Sequence, residues 1–367
     1  MKVIIAPDSF KGGLDAATAA TTIFKAFKEV KPNYNYILKP ISDGGEGILK
    51  ALANKTLPVM VTGPLGKLTS AEIGFLKDEK TIIIEMALAA GFEKVEEDKR
   101  DANYTTTYGV GELLLKALEY NPKRIIIGLG GSATNDLGIG ALQALGIKFY
   151  DENNDEVGIF GKDIFKIKSV DSTNVNKKLK EIDLILATDV KNPLLGERGS
   201  TFVYGPQKGL KEKDLKKYDE QFKIVSELLN KEFNRDFTNV PGVGAAGGIA
   251  YSLATVFDGK ITSGFDVVYE ELKLEETFKK ADYLITAEGK IDSQTLSGKG
   301  PLQIALKAKE TNPKIKVVIF VGTNLLKDNN IFDKIIEIND SKLSLKDNIK
   351  QTKTHLFEAA KNYFQEL

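Results

Sequence analysis

Residues 123–146 read KRIIIGLGGSATNDLGIGALQALG, and the fold turns on how this stretch is parsed. Ile125, Ile126 and Ile127 form a short β-branched apolar run, the mark of a buried strand. Gly128, Gly130 and Gly131 interrupt it. Ser132 or Thr134 is then placed to cap a helix that carries Ile139, Leu142 and Leu145. A strand that hands a glycine-rich turn to a helix start collects free backbone N–H groups at one point, which is how chains cradle phosphates and other anions. A tight strand-to-helix connection without a ligand has the same pattern. Asn135 and Asp136, polar groups in the expected first turn, favour a site.

Composition narrows the chemistry around this stretch. A chain of 367 residues is long for one core, so two domains are expected. Lys plus Arg and Asp plus Glu number 51 each, leaving no bulk field to draw nucleic acid or an anionic membrane. No apolar run approaches a membrane span, and Met1-Lys2 leads straight into a strand with no room for a signal peptide. There are no cysteines, which removes disulfides, thiolate metal sites and cysteine nucleophiles and fits a cytoplasmic chain. The single histidine, His355, falls in an expected C-terminal helix over 346–366, where a structural role is expected. Proton transfer therefore falls to Asp, Glu, Lys or Tyr, and any metal to a hard cation such as Mg²⁺ held by carboxylates and phosphate. Carboxylates, glycines and lysines are the groups phosphoryl transfer requires.

Outward from the central stretch, the chain alternates strands and helices at both ends. Val3 to Ala6 is a buried strand ending in Pro7-Asp8-Ser9-Phe10-Lys11-Gly12-Gly13. Asp15 is placed to cap a helix with Ala16, Ala19, Ile23 and Phe27 at helical spacing. A second strand near 36–41 ends in Ser42-Asp43-Gly44-Gly45-Glu46-Gly47. Strand-end loops line the binding crevice of open α/β sheets, so both loops are candidates. Between 57 and 92 short strands joined by tight turns suggest antiparallel pairing. Strand 182–187 delivers Thr188-Asp189-Val190-Lys191-Asn192-Pro193, and Pro241 to Gly248 forms a second glycine-rich turn, read chiefly as close packing. Strands follow at 283–286, 317–321 and 335–338. Five strands, two early and three late, suit one doubly wound parallel sheet, with residues 57–277 as an inserted mixed α/β domain and residues 1–56 plus 278–367 as the discontinuous one. The expected site is the cleft between the two.

The motifs, taken in order, resemble those of the type I glycerate kinases. Ala6-Pro7-Asp8-Ser9-Phe10-Lys11-Gly12, Asp43-Gly44-Gly45-Glu46-Gly47, Thr62-Gly63-Pro64-Leu65-Gly66 and Thr105-Thr106-Thr107-Tyr108-Gly109 come first. Gly130-Gly131-Ser132-Ala133-Thr134-Asn135-Asp136, Asp189-Val190 with Asn192-Pro193, Gly205-Pro206-Gln207-Lys208-Gly209 and Gly244-Ala245-Ala246-Gly247-Gly248 follow. Glu288-Gly289, Asp292, Gln294-Thr295-Leu296 and Gly298-Lys299 close the series. The resemblance covers nearly the whole chain. It implies ATP-dependent, Mg²⁺-assisted phosphorylation of D-glycerate, with 2-phosphoglycerate favoured as product, and a flavodoxin-like domain with an inserted α/β domain. Leu137 stands where the family usually has glycine, Asp101-Ala102-Asn103 replaces a usual Asn-Pro-Leu, and Ala287 replaces a glycine.

On this reading Asp189 is the base that takes the acceptor's proton, with Lys11 and Asp292 as further catalytic candidates. Asp189, Glu288 and Asp292 are the candidate metal carboxylates. Asp8, Ser9, Lys11, Asp43, Arg100 and Thr106 are the candidate substrate-binding residues, Lys11 and Arg100 being chosen to meet the carboxylate of glycerate. Gly130, Gly131, Ser132, Ala133 and Asn135, with Lys299, make up the expected phosphate cradle. A kinase acting on another hydroxy acid or polyol, or a non-catalytic nucleotide-binding module, remains the alternative. A nicotinamide dehydrogenase is disfavoured because neither early strand leads into the Gly-x-Gly-x-x-Gly fingerprint.

Overall fold

The computed structural model describes residues 1–10, 12–42, 44–292, 300–326 and 330–366. The fold is mixed α/β. The strands, in chain order, are β1 (Lys2–Ile5), β2 (Asn35–Leu38), β3 (Lys55–Thr62), β4 (Leu68–Phe75), β5 (Thr81–Glu85), β6 (Arg124–Gly128), β7 (Lys148–Tyr150), β8 (Ser169–Asp171), β9 (Asp183–Ala187), β10 (Lys260–Thr262), β11 (Tyr283–Ile291), β12 (Lys316–Asn324) and β13 (Lys334–Glu337). The chain forms two compact units, Met1–Asp43 with Phe265–Leu367, and Gly44–Gly264.

The first unit is built on a sheet of order β13-β12-β11-β1-β2, every pair parallel. Numbered along the unit this is order 2-1-3-4-5, the order of flavodoxin-like sheets, whose direction of winding reverses between β1 and its neighbour β11. Helix Ala16–Val30 begins at Asp15, whose carboxylate accepts from the Thr18 N–H at 2.9 Å. Ile23 and Phe27 from this helix, with Leu356 and Phe364 from helix Leu345–Gln365, bury against Val3, Ile5, Val318 and Phe320. The Phe27 and Phe364 rings stack at 3.7 Å. His355 sits half-buried in that second helix.

The second unit carries a six-stranded sheet of order β10-β9-β6-β5-β4-β3. β3, β4 and β5 pair antiparallel, as the tight turns between them predict, while β5, β6, β9 and β10 run parallel. The hairpin strands are therefore the extension of the sheet containing Ile125–Ile127 rather than a layer of their own. β6 sits inside this sheet with its isoleucines buried on both faces, which is why its sequence is an unbroken apolar run.

Two expected boundaries move. Segment 44–56 packs in the second unit, where the Leu49 N–H donates to the buried Glu85 carboxylate at 3.3 Å and the Asn54 N–H to Phe75 O at 2.8 Å. Segment 265–277 packs in the first, where the Thr277 carbonyl accepts from Lys2 Nζ at 3.3 Å and Tyr269 lies against Phe278. The helix expected to start at Ser132 or Thr134 also starts later, at Ile139. Leu137 (φ 55) and Gly138 (φ 76) lie in the left-handed region, which a right-handed helix cannot include. The chain from 130 to 138 is a loop, so its anion-binding capacity does not come from a helix end.

Candidate active site

In the second unit, Glu85, Gly128, Ala187 and Thr262 form one row across β5, β6, β9 and β10. The four strands are parallel, so their carboxyl ends open onto one rim, the position of binding loops in such sheets. Gly130 and Asp189 each stand two residues beyond this row, and Ser263 one residue beyond it. Asp189 is exposed and accepts from Ser263 Oγ at 2.9 Å. The pairs Leu129 N to Ala187 O (2.9 Å) and Thr188 N to Thr262 O (3.0 Å) extend the ladder past the strands and hold the loops side by side. The loop 44–47 packs here too: a Cβ on Gly130 would lie 2.7 Å from Gly45 Cα.

The turn itself is tied down at its carbonyls and open at its first amides. Gly131 O accepts from Phe92 N at 2.9 Å, and Ala133 N donates to Ala90 O at 2.8 Å. Among the described residues, the N–H groups of Gly130, Gly131 and Ser132 meet no acceptor. Successive N–H donors in a turn of this kind form an anion nest. Arg100 lies close by: its guanidinium covers the Phe92 ring at 4.8 Å, and Phe92 is the residue bonded to Gly131. No carboxylate among the described residues pairs with it, and its Nε is buried without an acceptor. A half-buried cation without a counter-ion, next to free N–H donors, suits an anionic ligand.

The rest of the glycine-rich segment faces inward. Ser132 and Ala133 are buried, and Thr134, Asn135 and Asp136 are wholly so. Asn135 Nδ2 donates to Thr201 Oγ1 at 3.2 Å, and Thr105 Oγ1 to Ala133 O at 3.1 Å. Asp136 accepts from Thr107 Oγ1 (2.7 Å), Thr107 N (2.9 Å) and Gly138 N (3.0 Å). Burial pushes its carboxyl above the usual carboxylate range, opposed by those hydrogen bonds. Thr106 is also buried, its Oγ1 accepting from Tyr108 N at 3.1 Å and its own N–H donating to Pro64 O at 2.9 Å. Asn135 and Thr106 thus hold the loop in shape.

Two buried groups escape the sequence reading. Glu85, at the end of β5, accepts from Leu49 N, and burial pushes its carboxyl up. Lys208 is 2 % exposed and donates to Ser132 Oγ at 2.9 Å and Thr134 O at 2.7 Å. Burial pushes its ammonium down to about 7, with Asp136 pulling the other way. Lys208 lies in the short run Gly205-Pro206-Gln207-Lys208-Gly209, whose composition by itself does not mark a buried lysine.

In the first unit, the carboxyl ends of β1 and β11 meet where the winding direction changes. Asp8 N donates to Ala287 O at 2.9 Å, which sets Asp8 beside the Glu288 backbone, and Ser9 N donates to Asp8 Oδ1 at 2.6 Å. Glu288 lies in β11 and Asp292 just beyond it, ion-paired to Lys290 at 3.1 Å. Lys11, Asp43 and Lys299 lie outside the described residues. Among those described, no three His, Cys, Asp or Glu side chains are grouped to hold a metal ion, and no helix is long and apolar enough to cross a membrane.

Free turn amides, a guanidinium that pairs with no carboxylate among the described residues and a strand-end carboxylate make up the candidate site of this α/β chain. The comparison with known proteins is more specific. The profile of the glycerate kinase family matches residues 3–367. The glycerate kinase of Halalkalibacterium halodurans is 40% identical over 325 residues, 88% of this chain and 85% of its own length. The glycerate 2-kinase of Escherichia coli K12 is 41% identical over 332 residues, 89% of this chain and 86% of its own. A crystal structure from Salmonella typhimurium LT2, assigned as glycerate kinase 2, superposes with a TM-score of 0.87 at 35% identity, covering 100% of this chain and 98% of that one. The chain belongs to the glycerate kinase family.

Proposed function

We propose that this chain transfers the terminal phosphoryl group of ATP to the hydroxyl on carbon 2 of D-glycerate. The observation that supports it most is the turn Gly130–Gly131–Ser132, whose three N–H groups meet no acceptor among the described residues, with the Arg100 guanidinium, unpaired by any carboxylate among them, lying over the ring of Phe92, whose N–H bonds Gly131 O. Phosphoryl transfer asks a protein to place the acceptor, neutralise phosphate charge and exclude water. The turn donates to phosphate oxygens. Asp189, on the same rim, takes the hydroxyl proton as the acceptor oxygen bonds to phosphorus and the bridging oxygen leaves with ADP. Arg100 meets the glycerate carboxylate, in a geometry suited to two parallel hydrogen bonds.

Mg²⁺ fits the donor set. Hard oxygen ligands are what it prefers, and it is commonly held by one or two carboxylates with phosphate and water oxygens rather than by a full protein cage. The candidate carboxylates are Glu288 and Asp292 in the first unit and Asp189 in the second, each taken by itself. When bound, Mg²⁺ supplies charge neutralisation at the phosphates. The remaining substrate-binding candidates, Asp8 and Ser9, lie in the first unit, where Ser9 N donates to Asp8 Oδ1.

Phosphorus NMR of the product from D-glycerate and ATP tests the assignment directly. The 2-phosphate is the expected signal; the 3-phosphate overturns the regiochemistry, and no phosphoglycerate at all overturns the activity. For Arg100→Ala the expected result is a rise in the KM for glycerate of about 10–100-fold, the worth of a hydrogen-bonded charge, with the KM for ATP nearly constant. The opposite split moves Arg100 to the nucleotide.

A further inference from the structure

Lys208 has no part in the reaction as drawn so far, yet its burial needs a reason. Lysine is almost never fully buried unless paired, because removing an ammonium from water is costly. The chain is shaped around its placement. Pro206–Lys208 is a single 3₁₀ turn that begins with proline and ends at Gly209, whose φ is 87. A Cβ on Gly209 would lie 1.9 Å from the Arg100 carbonyl oxygen, so no other residue can close this turn. The turn thus rests on the backbone of Arg100 while its lysine reaches Ser132 and Thr134 of the glycine-rich loop.

The hydrogen-bond arithmetic then matters. An ammonium only donates. While Lys208 carries its proton, Ser132 Oγ is the acceptor in its 2.9 Å bond with Lys208 Nζ, and Thr134 O is the acceptor in the 2.7 Å bond. Among the described residues Ser132 Oγ donates to nothing, so its proton stays available. Its own N–H is one of the three free amides of the turn. Asp136, itself held by Thr107 and Gly138, is the carboxylate whose field reaches the ammonium.

We infer that Lys208 is a positioning residue for the nucleotide: bonded to Ser132 Oγ and Thr134 O from behind, it fixes the turn and leaves the Ser132 hydroxyl proton to donate to a phosphate oxygen of ATP. The inference rests on the kinase reading above. Lys208 does not touch the ligand. It acts through Ser132, so the two side chains form one unit, and deleting both costs no more than deleting one.

The test measures binding of a non-hydrolysable ATP analogue by calorimetry, alongside steady-state kinetics, for Ser132→Ala, Lys208→Met and the double variant. Each single variant is expected to weaken analogue binding about tenfold, with the KM for glycerate within about twofold, and the double variant is expected to match the weaker single. Unchanged analogue binding in either single variant, losses that multiply in the double, or a loss confined to glycerate would overturn the proposal. Lys208→Met leaves Thr134 O without its donor inside the protein and can fail to fold. In that event ¹⁵N-lysine NMR of the folded wild-type chain decides: the analogue shifts the Lys208 resonance, the shift disappears in Ser132→Ala, and an unmoved resonance overturns the proposal. A wild-type chain that binds the analogue but makes no phosphoglycerate counts against the kinase reading alone, since the binding comparison stays readable.

Discussion

Asp189→Asn is expected to lower kcat by about 10²–10⁴-fold, the usual contribution of a positioned general base, while both KM values stay within a few-fold. The substitution keeps the side chain's shape and its bond to Ser263 while removing the carboxylate's charge and basicity. Asparagine keeps the size of the side chain and an Oδ1 that can still accept from Ser263 Oγ, so the rim held by the Thr188–Thr262 bond keeps its shape. What is lost is a carboxylate that can take the acceptor's proton as the new P–O bond forms. Stopped assays with coupled ADP detection give kcat, and calorimetry with D-glycerate gives binding. Near-normal turnover removes Asp189 from the role. Parallel loss of substrate affinity instead assigns it to holding the acid or the metal.

The placement of Asp189 shows how far sequence carried the site. A β-branched run marks β6, an apolar run marks β9, and the residues just past each are polar or glycine. That pattern, with the family resemblance, names Asp189 and the Gly130 turn as candidates. The pairing that makes Ala187 and Gly128 neighbours is a tertiary fact, and it is what sets the two motifs on one rim. Arg100 was chosen for its place before the threonine run. Its stacking on Phe92, and thereby its nearness to Gly131, has no local signature.

Where sequence fell short, the cause is contact between distant segments. Local capping chemistry favours a helix from Ser132 or Thr134, yet Leu137 and Gly138 turn left-handed there. Leu137 N donates to Gly247 O at 2.9 Å, and the Ser252 hydroxyl bonds Leu137 O. A wholly buried Leu137 side chain completes the fit, so packing stabilises a conformation that propensity disfavours. Lys208 was missed for a related reason: a lysine in a short polar run looks solvated until the loop above it is known.

Those contacts put the second large expectation at Gly247. Gly247→Ala is expected to destabilise the fold by about 3 kcal/mol or more, a fall in Tm of roughly 6–12 °C, read by thermal and urea unfolding. Backbone strain alone does not reach that figure. Ala246, next door, already holds an L side chain at φ 54, so this loop tolerates a left-handed alanine at about 1–2 kcal/mol. The difference lies in what surrounds the new methyl. At Gly247, with φ 75, a Cβ would lie 2.2 Å from Thr134 O and 2.9 Å from Asn135 Cα, both backbone atoms that cannot rotate away. Either the loop 134–137 shifts or the 246–248 turn lifts from it. Thr134 O is also the acceptor for Lys208, so a shift there disturbs Ser132 and should lower nucleotide affinity together with stability. An unchanged Tm shows that the two glycine-rich loops do not pack as described, and a lowered Tm with intact ATP affinity separates the packing of Gly247 from the nucleotide turn.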